Sequence, residues 1–254
     1  MTPEPVRTAE MPSTVAGPII EDRLAQAYRY LQRVVGLIAL ALPFVVSIGD
    51  RVIADHPLRG SISAYYYGST GSYFVGSLCA LAVFFLSYQY EKPPRPGYAI
   101  DRTASNVLSA LAVGVALLPT AAEGERARGA SAVIATLHLV CAGLLFVLLA
   151  YFSLCRFTRT AGDSDRFDLR SEIRRSVNSH PLLRAAMSDR KRRRNAIYRA
   201  CGWTIVACIV MVGVSNALHW HVLFWLEAIA IVAFGASWLV KSDSISILRD
   251  PRPA

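Results

Sequence analysis

Charge is scarce in this chain of 254 residues: 18% of it is Asp, Glu, Lys or Arg, against 54% hydrophobic. Soluble domains average about 25% charged residues, and the mean hydropathy of +0.37 lies on the apolar side. Lysine is rarer still, with 3 Lys beside 24 Arg. Cysteine is also sparse. Cys79, Cys141, Cys155, Cys201 and Cys208 all fall in or at the ends of apolar runs, and no C-x-x-C pair occurs. That placement excludes a secreted disulfide scaffold and gives no zinc-ribbon spacing. No G-x-S-x-G nucleophile turn is present either, and no cofactor motif is read.

What the chain does have is long hydrophobic runs. Six of them, at about 34–49, 72–89, 105–122, 132–155, 200–218 and 222–240, approach the ~20 residues that cross a hydrocarbon core of ~30 Å. The expected fold is an all-α membrane protein, a six-transmembrane-helix bundle. Residues 1–29, with Pro3, Pro5, Pro12 and Pro18, read as a flexible tail, 30–242 as the transmembrane domain and 243–254 as a second tail. The order of the first residues is not that of a signal peptide. Pro43 predicts a kink in the first span.

The distribution of cations sets the expected orientation. The N-terminal tail, the second and fourth loops and the C-terminus together carry 23 of the 27 Lys and Arg. The positive-inside rule then places both termini in the cytoplasm of a bacterial inner membrane. The net charge of +9 is thus a topology signal before it is a ligand site, and no groove-reading or aromatic-interleaved motif points to nucleic acid. Trp203 and Trp238 fall near the expected inner boundary, Trp220 and Trp225 near the outer one. Small residues at Gly76 and Ala80, Ala110 and Gly114, and Ala135 and Ala142 are spaced for close helix contact.

The fourth loop, 156–198, is the one sizeable segment outside the apolar runs. Asp165 is placed to cap a helix with Leu169, Ile173 and Val177 on one face, flanked by Arg166, Arg170, Arg174 and Arg175. This is the pattern of a basic helix on a lipid surface. Pro181 ends that helix, and a second helical stretch, carrying Arg190, Lys191, Arg192, Arg193 and Arg194 at the membrane boundary, runs into the fifth span. They either fix topology or contact anionic headgroups, each worth ~1 kcal/mol at an anionic leaflet.

Ionisable residues inside a span need a reason to be there. His138 and Glu227 lie six and five residues into their runs, which puts both roughly 8–9 Å below the outer boundary. Equal depth predicts that they face one another across an outward-opening polar pocket. Asp50, Tyr65, Tyr66, Tyr67, Asn216, His219 and His221 complete the candidate set, with Ser72, Thr120 and Ser215 at neighbouring ends. Three histidines and a carboxylate are also zinc ligands, but His219 and His221 converge only from a turn. A buried His–Glu hydrogen bond that fixes packing is the simplest reading.

In this order, the Ile62-Ser63 loop with Gly68, Ser105-Asn106, His138, the run Arg194 to Arg199 and Glu227 make the chain resemble the six-span superfamily of DRAM (damage-regulated autophagy modulator) and Sfk-type proteins. The similarity spans roughly residues 30–240, and the tyrosine run departs from the eukaryotic pattern. Phe74–Tyr88, Gly114–Thr120 and Phe224–Lys241 also resemble segments of bacterial membrane proteins without assigned activity. The resemblance implies a lipid-linked role and no catalytic residue. The function expected is lipid-binding, lipid-organising or regulatory, with membrane lipids as partners, anionic headgroups at the cytoplasmic face among them. The alternative is a membrane-embedded, metal-dependent lipid hydrolase, although the H-x-x-x-H pair of the alkaline ceramidase group is missing. A small transporter is a third class, against which stands the lack of an inverted repeat.

Overall fold

A computed structural model describes residues 13–87, 98–122, 127–158 and 181–242. Among them the chain is all-helical, with no strand. Six helices follow one another: α1 (Ser13–Ala54), α2 (Gly71–Ser87), α3 (Tyr98–Leu117), α4 (Ala130–Tyr151), α5 (Pro181–Ala217) and α6 (Leu223–Lys241). A 3-10 turn, Ser63–Tyr67, precedes α2, and a π-helical segment, Phe152–Arg156, extends α4. Among the described residues, four stretches are long and apolar enough to cross a membrane: Arg29–Ala54, Ala130–Arg156, Asp189–Ala217 and Leu223–Lys241. Gly71–Ser87 and Arg102–Leu117 are shorter apolar helices.

One element differs from the expectation. α1 starts at Ser13, well inside the stretch read as a tail, and runs unbroken past Pro18 and Pro43. A proline removes one backbone donor, and at Pro43 the freed region stays apolar and packed: Leu42 and Val46 beside it are buried. α5 starts at Pro181, in keeping with the helical stretch expected to run from there into the fifth span. With 42 and 37 residues, at 1.5 Å per residue, α1 and α5 are about 63 and 55 Å long, so both project beyond a bilayer core. The basic helix expected around 165–177 lies outside the described residues.

The helices form a ring in chain order, each against the next, and α6 closes the ring against α1. That closure depends on two glycines. A Cβ on Gly36 would stand 3.0 Å from the Gly235 carbonyl oxygen, and one on Gly235 2.9 Å from that of Gly36. Only bare backbone lets α1 and α6 approach so closely. Gly114 gives α3 the same access to α4, where a Cβ would meet Cys141 Sγ at 2.8 Å. Gly76 corrects the expectation: nothing lies within 4 Å of its Cβ position, and both it and Ala110 are exposed.

The connecting residues 55–70, 118–122 and 218–222 meet at one end of the ring. Tyr67 donates its hydroxyl to the Thr120 carbonyl at 2.8 Å, and the Phe224 N–H donates to the Gly60 carbonyl at 3.0 Å. We call this end the loop face. At the opposite end Phe85, Phe157, Phe234 and Trp238 pack edge to face, and Ser153 of the π-helical segment meets Ser237 at 3.3 Å.

Candidate functional site

The loop between α1 and α2 folds back over the bundle instead of extending into solvent, and two carboxylates hold it there. Asp50, in the last turn of α1, is 1% exposed. A buried carboxylate is tolerated only when its lone pairs are filled. Here Arg59 Nε donates at 2.8 Å to Oδ2, while the Ser69 N–H and hydroxyl donate to Oδ1 at 2.7 and 2.8 Å. His56 stands 3.8 Å away. The Arg59 guanidinium lies over the Tyr65 ring, 5.7 Å from its centroid. Gly68 leaves the space for this cluster, since a Cβ there would be 2.7 Å from Asp50 Oδ1.

The second carboxylate is Glu227. Its Oε2 accepts the Ile62 N–H at 2.6 Å, and the carboxylate also takes the Ser63 N–H. It therefore caps the start of the Ser63–Tyr67 turn from a different helix. Ser61 Oγ accepts the next N–H, that of Ala64, at 3.0 Å. Backbone donors at a helical N-terminus have no internal partner, so α6 supplies what the turn lacks. Tyr65, fully buried, packs on Phe224 with ring centroids 6.2 Å apart.

His138 is not Glu227's partner. It is 4% exposed, and its Nδ1–H donates to the Leu118 carbonyl at the end of α3 at 2.7 Å. A carbonyl can only accept, so Nε2 is the ring's acceptor. That atom is buried and has no hydrogen-bond partner among the described residues. The expected facing pair is thus replaced by two separate ties, one from α4 to α3 and one from α6 to the first loop.

The remaining candidates divide. Asp50 and Tyr65 belong to the loop cluster, Tyr66 is half-buried, and exposed Tyr67 ties the loop to Thr120. Asn216, His219 and His221 are exposed. His219 has φ 56°, its N–H donating to the Asn216 carbonyl at 3.4 Å and that of Trp220 to the Ser215 carbonyl at 2.8 Å. This is the Schellman ending of α5, with His219 where glycine is usual. Among the described residues no group of three or more His, Cys, Asp and Glu is placed to hold a metal. Of the five consecutive cations, Arg190 and Arg194 are half-buried while Lys191, Arg192 and Arg193 are exposed. Sequence reasoning missed Arg59 and Ser69.

Beneath the loop lies a cavity of about 60 Å³. Ala39 and Leu42 of α1, Phe74, Leu78, Leu81 and Phe85 of α2, Ala112 and Val115 of α3, Ala142, Leu145, Phe146 and Leu149 of α4, and Ile231 and Phe234 of α6 line it. Ile62, Ser63 and Glu227 close its loop-face end. Its walls are apolar, and such a cavity does not recruit water. His138 is not among the lining residues. No family model, curated protein or solved structure matches the chain.

Proposed function

We propose that the protein is a six-span, multi-pass component of a bacterial inner membrane that binds a membrane lipid, seating part of an acyl chain in the central cavity under the loop held by Glu227 and Asp50. The single observation behind this reading is the cavity itself: apolar walls from five of six helices, inside a bundle whose natural solvent is lipid tails. Left empty, 60 Å³ costs on the order of 1.5 kcal/mol, and hydrocarbon is the matching filler. The two carboxylates are saturated by donors from the loop, which favours binding over acid–base catalysis. The resemblance to the DRAM and Sfk-type superfamily points the same way.

The six-span count treats α2 and α3 as spans alongside the four longer helices. It is supported by the meeting of the three connections on one face. With only Arg51, Arg59, Arg126 and Arg128 of the 27 cations on that side, the loop face is external and both termini are cytoplasmic. The test is lipid retention. Protein purified in mild detergent and washed free of loose lipid should keep about one tightly held lipid by native mass spectrometry. Ala112→Phe, which fills the cavity from a fully buried position, should abolish that adduct while the helices remain folded. Unchanged retention would refute the reading.

A further inference from the structure

α5 presents a row of exposed cations at its surface, apart from the bundle interior. The five consecutive cations 190–194 do not act as one patch, because a helix advances ~100° per residue. Arg190 and Arg194 turn toward the bundle and are half-buried. Arg192 points the other way. Counting along the helix from Arg192, Ala196, Arg199 and Trp203 fall within about 40° of the Trp203 direction, and all four are exposed. Ala207, Val210 and Val214 continue the same exposed stripe into the apolar part of the span Asp189–Ala217.

We infer that the stripe formed by Arg192, Ala196, Arg199 and Trp203 binds the phosphate of an anionic phospholipid, clamped between the two guanidinium groups. The separation of Arg192 and Arg199 is about 10 Å along the axis, which two arginine side chains can close over the small Ala196 between them. Neither arginine makes an ion pair with a described residue, and Asp189, one turn before Arg192, is exposed and bridges to neither. Planar guanidinium forks bind phosphate oxygens in pairs. Trp203, 64% exposed, sits one turn deeper, at the level where indole rings anchor to the interface. The apolar stripe below it offers the acyl chains a helix face. Charge and depth select one occupant, a lipid of the leaflet, over a soluble anion, which has no use for the tryptophan and valines.

The test uses the full-length protein in non-ionic detergent, titrated with dioleoyl phosphatidylglycerol and, separately, dioleoyl phosphatidylcholine, with bound lipid counted by native mass spectrometry. The anionic lipid should be preferred by roughly tenfold or more, each cation contributing about fivefold. Arg192→Gln with Arg199→Gln should abolish the preference. Lys191→Gln with Arg193→Gln removes the same charge and should cost under about twofold, because those side chains lie off the stripe. Equal losses in the two pairs would overturn the clamp and leave a diffuse charge effect. Should the first pair fail to insert, Arg192→Lys with Arg199→Lys keeps the charge and should still weaken binding about threefold; wild-type binding there would overturn the clamp as well. Displacement of the lipid by millimolar inorganic phosphate would overturn the lipid assignment in favour of a free-anion site. Ala112→Phe should leave the preference intact, so failure of the cavity and failure of the stripe are separate results.

Discussion

Asp50 and Arg59, nine residues apart across the end of α1, meet at 2.8 Å with the carboxylate 1% exposed and the arginine side chain 12% exposed. Removing one member of a buried pair strands the other, at about 3–5 kcal/mol. Asp50→Asn should therefore lower stability by about 3 kcal/mol, seen as a large drop in the thermal midpoint in detergent. Asp50→Asn combined with Arg59→Met should cost less than the sum of the two single changes. Additive losses would show that Ser69, not Arg59, carries the cluster.

His138 and Glu227 share no partner: one donates to the Leu118 carbonyl, the other accepts from Ile62. Their substitutions should be additive within about 0.3–0.5 kcal/mol. The measurement is a double-mutant cycle with His138→Gln and Glu227→Gln. A coupling larger than about 1 kcal/mol would restore the facing pair expected from their equal depth.

His219 holds a left-handed conformation at φ 56°, which costs an L-residue with a Cβ about 1 kcal/mol. His219→Gly should raise stability by roughly 0.5–1 kcal/mol, as a higher thermal midpoint, without changing lipid retention. A loss of lipid or of stability would give the imidazole a role beyond ending α5.

The membrane helices were legible because a hydrophobic run of fixed length is a one-dimensional signal. α6, Leu223–Lys241, falls within one residue of its expected span at each end, and α4 with its π-helical extension, Ala130–Arg156, within two. The start at Ser13, outside the apolar segment, carries no such signal; that of α5 was legible because Pro181 breaks the preceding helix and opens the next. Asp50 and Tyr65 could be flagged, since a carboxylate and an aromatic run at a span's end demand an explanation. Arg59 was reachable by the same reasoning, being one of only four cations on that side. The Glu227–Ile62 tie was not: its acceptor is a side chain, but its donor is a backbone N–H that any residue could supply. Gly36 and Gly235 were missed for another reason. Their contact exists only because the ring closes between its first and last helices, and no local spacing encodes that.

The claim that the cavity seats an acyl chain is tested most directly by photo-cross-linking. A phospholipid with a diazirine midway along one chain is incorporated with the full-length protein, irradiated, and the labelled peptides are sequenced by mass spectrometry. The account predicts adducts on the cavity-lining Leu78, Leu145 and Phe146, lost in Ala112→Phe. Labels confined to the exposed faces, such as Leu139, Val140 and Leu144, in wild type and variant alike, would contradict it.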